Sequence, residues 1–154
     1  MLFRSLKIKV FAWLLVSDRL NTRDMLRRRN WNVTSDYDCV LCPTHVTEDW
    51  MHLFFDCNFR VRIWTYLQID WAPADTFEEV FVMARKKFNK PFFTEVVILA
   101  AWHIWKQRNE AIFQRVLPTF NGWKRRFIYE ASLHVHRMRD KNATAFSSWI
   151  DSLT

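Results

Sequence analysis

An all-α fold is predicted by three observations. One Gly and four Pro in 154 residues leave few of the tight turns that β-hairpins need. Apolar residues recur at helical spacing, most clearly from Glu95 to about Arg115, where Val97, Ile98, Ala101, Trp102, Trp105, Ile112 and Phe113 form one stripe. Helix start and stop signals bracket these stretches. Half of the residues are hydrophobic, with nine Trp and fourteen Phe, a composition that builds a core and excludes disorder.

The elements follow in order. Lys7 to Val16 becomes a continuously apolar run. Period alone leaves helix or strand open, but no partner strand is evident and no turn signal precedes Leu20, so a helix is expected to continue to Leu20. Asn21 or Thr22 then caps a second helix, with Asp24 in its first turn, Arg27, Arg28 and Arg29 in its last, and Asn30 as the left-handed stop. Trp31 to Asp38 reads as a polar connector. Glu48 to Phe55 and Asn58 to Gln68 read as helices on either side of Cys57, the second burying Phe59, Ile63, Trp64 and Leu67. Trp71-Ala-Pro-Ala-Asp75 is a breaker and a candidate boundary, dividing a domain at 1–70 from a helical extension at 71–154. Asp75 to Phe88 is a helix with Phe77, Val80, Phe81 and Ala84 inward, stopped by Asn89-Lys90-Pro91. Thr94 is the expected cap of the long helix that follows. Within it, His103 is expected to be a surface or internally satisfied histidine. Leu117-Pro118 ends that helix, and Asn121 to His136 makes the last one.

All three cysteines lie in one stretch, Cys39-Val-Leu-Cys42 followed by His52-Leu-Phe-Phe-Asp-Cys57. An odd number of thiols argues against a disulfide framework. Buried apolar cysteines would explain neither the clustering nor the histidine. Two thiols two residues apart, then His and Cys, make a Cys3His set of the kind that closes the tetrahedral sphere of a structural Zn2+. A catalytic metal would keep an open position, and the His-x-Glu signature of the zinc deaminases is missing. The metal ligands are therefore Cys39, Cys42, His52 and Cys57. His45 is the alternative fourth ligand, but it would have to fold back within the same short loop, whereas a helical turn would hold His52 rigidly. Clustered, unpaired thiols suit a reducing, intracellular compartment.

The net charge of +7 is unevenly placed. Between Asp36 and Glu79, Arg60 and Arg62 are the only Lys or Arg residues against nine acids. Three thiolates with Zn2+ add a formal −1. Basic residues concentrate before this segment, at Arg19, Arg23, Arg27, Arg28 and Arg29, and after it, at Arg85 to Lys90 and Lys106 to Lys141. RNA or single-stranded DNA would meet these flanks first, because phosphate contacts supply most non-specific affinity. Arg23, Arg27, Arg28, Arg29, Lys124, Arg125 and Arg126 are the candidate contacts; the other reading of the three consecutive arginines is a solvated helix end. No signal peptide is expected at Met1 to Lys7. The longest apolar runs, Val10 to Val16 and Val96 to Trp102, are too short to cross a bilayer, so no membrane partner is expected. No Gly-rich phosphate loop or nucleophile elbow is present.

Phe11-Ala-Trp-Leu-Leu, then Arg19-Leu-Asn-Thr-Arg-Asp-Met-Leu-Arg-Arg-Arg29, the cysteine–histidine set, Glu48 and Trp64 occur in an order that resembles the zinc-binding domain following the reverse transcriptase in plant LINE-type (non-LTR) retrotransposons. The resemblance covers about residues 5 to 70. Trp102-His-Ile-Trp-Lys-Gln-Arg-Asn109 with Phe113 is similar to the helical segment after that domain. The resemblance carries the four zinc ligands over and implies a non-enzymatic module that assists a reverse transcriptase, with a nuclear site of action. Asn30 and Pro43 stand where members of that family often have Gly, and neither change removes a ligand. The catalytic acids of a reverse transcriptase and the carboxylates of a ribonuclease H are absent as motifs. The alternatives are a structural or protein-interaction module with a purely structural zinc, and a non-functional fragment of such an element.

Overall fold

The computed structural model describes residues 3–31, 36–138 and 141–154. Most of the connector after Trp31, at 32–35, and positions 139–140, within the expected basic stretch Arg137 to Lys141, lie outside the described residues. The fold is all-α, as composition and period predict. Its helices are α1 (Leu6–Val16), α2 (Arg23–Arg28), α3 (Asn58–Tyr66), α4 (Phe77–Phe88), α5 (Phe93–Phe113), α6 (Phe120–Arg137) and α7 (Asn142–Leu153), with a π-helical turn at His52–Asp56. Among the described residues the only β-pairing is one antiparallel bridge between Asp38 and Thr47.

Several helix ends are decided locally. Thr22 caps α2, its Oγ1 accepting the Met25 N–H at 3.2 Å. Asn30 takes the left-handed conformation at φ 56°, and the Trp31 N–H returns to the Leu26 carbonyl at 3.0 Å, closing the helix in a Schellman turn. The same turn ends α1 earlier than expected. Asp18 is left-handed at φ 50°, and Arg19 N–H bonds Leu14 O at 2.8 Å, so the helix stops at Val16. Thr76 caps α4 and Thr119 caps α6.

The centre of the molecule is α5. Its first half is buried nearly all round, from Phe93 to Ile104, and it packs against α1, α4 and α6. This moves its start: Thr94 is not the cap, and the helix begins at Phe93 with no side-chain cap. Burial of Phe92 and Phe93 anchors that end instead, each large aromatic side chain adding a few kcal/mol of apolar burial. The predicted stripe runs out toward the helix C-terminus, where Phe113 is 76% exposed. His103 corrects a second expectation. It is buried, and neither ring nitrogen has a hydrogen-bond partner. Burial first, then the charges of Lys106 and Arg126, hold it down at about 3, so the ring is neutral.

The final helix, α7, was not expected. Phe146, Trp149 and Ile150 are its buried face, at the i, i+3, i+4 spacing of an amphipathic helix. Phe146 stacks on Phe92 with centroids 4.8 Å apart. The breaker at Trp71 is also pinned: its ring meets Phe55 at 4.6 Å and Trp64 at 5.1 Å. One apolar core thus runs from Phe3 through Leu53, Phe54 and Trp64 to Ile150.

Candidate metal centre

The centre is built on a loop and a turn. The Asp38–Thr47 bridge closes the loop that carries Cys39 and Cys42, with the Cys39 N–H on Val46 O at 2.8 Å and the Glu48 N–H on Tyr37 O at 2.9 Å. Asp49 then opens the turn that carries His52, its Oδ1 accepting the His52 N–H at 2.7 Å. The expected helix through Phe55 is widened here. The Cys57 N–H reaches His52 O at 3.0 Å, five residues back, rather than the carbonyl four back. This π-turn brings Cys57 round to the same side as His52, and the chain enters α3 at once.

The four donor atoms of Cys39, Cys42, His52 and Cys57 lie within 4.8 Å of one another. Zn–S bonds of about 2.3 Å in a tetrahedron put neighbouring donors about 3.8 Å apart, so the set needs only small adjustments to close on an ion. The Cys42 Sγ and His52 Nε2 are already 3.2 Å apart. Soft thiolates with one imidazole suit Zn2+ and not the oxygen-seeking Ca2+ or Mg2+. The residues fit one structural Zn2+, which would tie the loop to the turn. His45 is not part of the set. It is 87% exposed and pairs with Asp38 at 3.2 Å.

The thiols are already polarised. The hydrogen bond from Cys39, and then the Arg60 guanidinium, hold Cys57 down at about 5. The same bond and burial push Cys39 up.

Residues 3–64 match the family described as zinc-binding in reverse transcriptase. The match contains all four metal ligands, together with α1, α2 and most of α3. No curated protein and no solved structure matches the chain. The structure ties this zinc-binding segment to the rest of the chain through Glu48. That carboxylate is 0% exposed and accepts Arg108 Nη2 at 2.6 Å and Arg108 Nε at 3.1 Å. It also accepts the Arg23 N–H at the start of α2, at 2.9 Å. Arg108, on α5, lies outside the matched residues.

The predicted phosphate contacts divide. Arg23 turns inward, its side chain only 14% exposed, and braces the zinc loop through the Asp38 carbonyl at 2.9 Å. Arg27 and Arg28 pair with Asp24, and Arg28 also with Asp18 at 3.4 Å. Arg29 lies 6.0 Å from the Trp31 ring. Arg126 pairs with Glu110 at 2.9 Å. Lys124 and Arg125 instead line an open groove of about 830 Å³ with Asn121, Ile128, Tyr129 and Thr154. Sequence reasoning missed two buried cations, Arg60 and Arg108. Their burial comes from tertiary packing; for Arg108 the one local sign was its place on a long apolar helix.

Proposed function

We propose that the chain is a non-enzymatic module that binds RNA or single-stranded DNA with little sequence specificity. Its zinc holds the scaffold and does not touch the nucleic acid. The groove along α6 is the observation that carries this reading. Lys124 and Arg125 line it together with Tyr129, which is 66% exposed. Arg62 stands 4.2 Å from Phe120 and Lys124 stands 5.1 Å from Tyr66. Cations beside the exposed Tyr129 ring offer phosphate contacts and a stacking surface together, a combination suited to single strands. The family match supports an origin beside a reverse transcriptase, and the sequence resemblance speaks for a plant LINE-type retrotransposon and a nuclear site of action. In that setting the module would help the enzyme hold its template or target. Among the described residues no helix is long and apolar enough to cross a membrane.

Fluorescence anisotropy with unstructured RNA and DNA oligonucleotides, across a salt series, tests the reading. Binding that weakens steeply with salt and is lost in Lys124→Gln/Arg125→Gln/Tyr129→Ala is expected. A folded, zinc-loaded protein that binds neither oligonucleotide at low salt overturns it.

One observation favours a second reading, protein interaction. Leu6, Val10, Trp13 and Val16 are all exposed along the outer side of α1. A stripe of this kind marks a docking face on a partner helix or groove. Replacing Val10 and Trp13 by Lys would then abolish partner binding and leave oligonucleotide affinity undiminished.

A further inference from the structure

Arg60 is 0% exposed. It lies one turn after Cys57, and its backbone N–H bonds the Cys57 carbonyl at 2.7 Å. Its Nε donates to the Leu53 carbonyl at 2.9 Å, and Leu53 directly follows His52 in the π-turn. The side chain is therefore wedged between the two segments that carry His52 and Cys57. Nη1 and Nη2 have no hydrogen-bond partner. A guanidinium buried in this way is stable only beside a compensating negative charge. Glu48 is already held by Arg108 through three contacts. The metal centre borders Arg60 through Cys57, and its three thiolates and one Zn2+ would leave a formal −1.

We propose that Arg60 is the counter-charge of the zinc centre, neutralising its net −1 and thereby setting the affinity for the metal. A guanidinium is charged at neutral pH, and this one is held against the ligand-bearing backbone at the carbonyls of Cys57 and Leu53. Arg60 touches the scaffold of the ligands, so it is a positioning residue as well as a charge. The two roles separate by substitution. Arg60→Lys keeps the charge and loses the fork. Arg60→Gln keeps a donor for Leu53 and loses the charge. Arg60→Met keeps only the volume.

Zinc affinity is measured by competition against a chromophoric chelator, with helix content followed at saturating zinc. Groups outside the ligand set change metal affinity by about 10–100-fold. A loss of that size is expected for Arg60→Gln and Arg60→Met, with one zinc still bound at saturation, and a loss under about threefold for Arg60→Lys. The pH midpoint of zinc release should also rise in the two neutral variants, because their thiolates lose a stabilising charge. Cys42→His makes the centre formally neutral. In that background the penalty of Arg60→Gln should shrink below about threefold. The proposal is overturned if Arg60→Gln binds zinc as tightly as the parent protein. It is also overturned if Lys weakens binding as much as Gln, or if the penalty survives in the Cys42→His background. An unfolded Arg60→Met leaves the Gln and Lys comparison to decide.

Discussion

Removing either member of the Glu48–Arg108 pair should destabilise the protein by about 3–5 kcal/mol. The side chains are 0% and 5% exposed, and the shortest contact is 2.6 Å. Two charges about 4 Å apart interact by roughly 4 kcal/mol at an effective dielectric of about 20. Arg108→Met strips this from Glu48 and leaves its carboxylate on the Arg23 N–H alone. Glu48→Leu leaves a buried guanidinium that retains Asn109 Oδ1 at 2.9 Å and the Asn21 carbonyl at 3.3 Å. It also uncaps the first N–H of α2, so it should be at least as damaging. The double variant, apolar on both sides, removes the uncompensated charge and should regain most of the loss. Urea unfolding at saturating zinc, followed by circular dichroism and tryptophan fluorescence, yields the double-mutant cycle. A loss under about 1 kcal/mol for Arg108→Met, the range of an exposed ion pair, would refute the argument.

Other outcomes follow from the same structure. Cys57→Ser should lose zinc and cooperative helicity together, since a structural zinc contributes on the order of 10 kcal/mol; elemental analysis should also show zinc retained in His45→Ala and lost in His52→Ala. Replacing Lys124 and Arg125 by Gln should lower the slope of log affinity against log salt by about 0.7 for each lost contact with a single strand. The same change at Arg27 and Arg28 should lower it less, because both already pair with Asp24; an equal effect in titrations would displace the α6 groove as the main contact. His103 has a folded-state value of about 3, below the ordinary value near 6.5. The unfolded chain takes up the extra proton, so stability should fall between about pH 6.5 and 3, by up to about 1.4 kcal/mol per pH unit. His103→Leu should remove that component from the pH dependence and raise stability at neutral pH by about 1–2 kcal/mol, as chemical denaturation would show.

What the amino-acid sequence determined by itself is local. Thr22 and Asn30 bracket α2 because a hydroxyl cap and a left-handed asparagine act on backbone groups within three or four residues. The spacing of Cys39, Cys42, His52 and Cys57 was legible because a metal site of this type is assembled from two short segments. Even there, the π-turn that brings His52 and Cys57 together left no mark in the apolar pattern. The signal for α7 was present in Phe146, Trp149 and Ile150, yet a three-residue stripe becomes a helix only when a partner such as Phe92 covers it. Tertiary structure alone decided the rest. Phe92 and Phe93 overrode Thr94 as the start of α5, because burying two rings outweighs one cap of about 1 kcal/mol. His103 became buried and neutral, Glu48 met Arg108 sixty residues away, and Arg60 was enclosed beside the metal ligands. A side chain's charge is written in the sequence, but its solvation is set by what folds over it, and that comes from residues far along the chain.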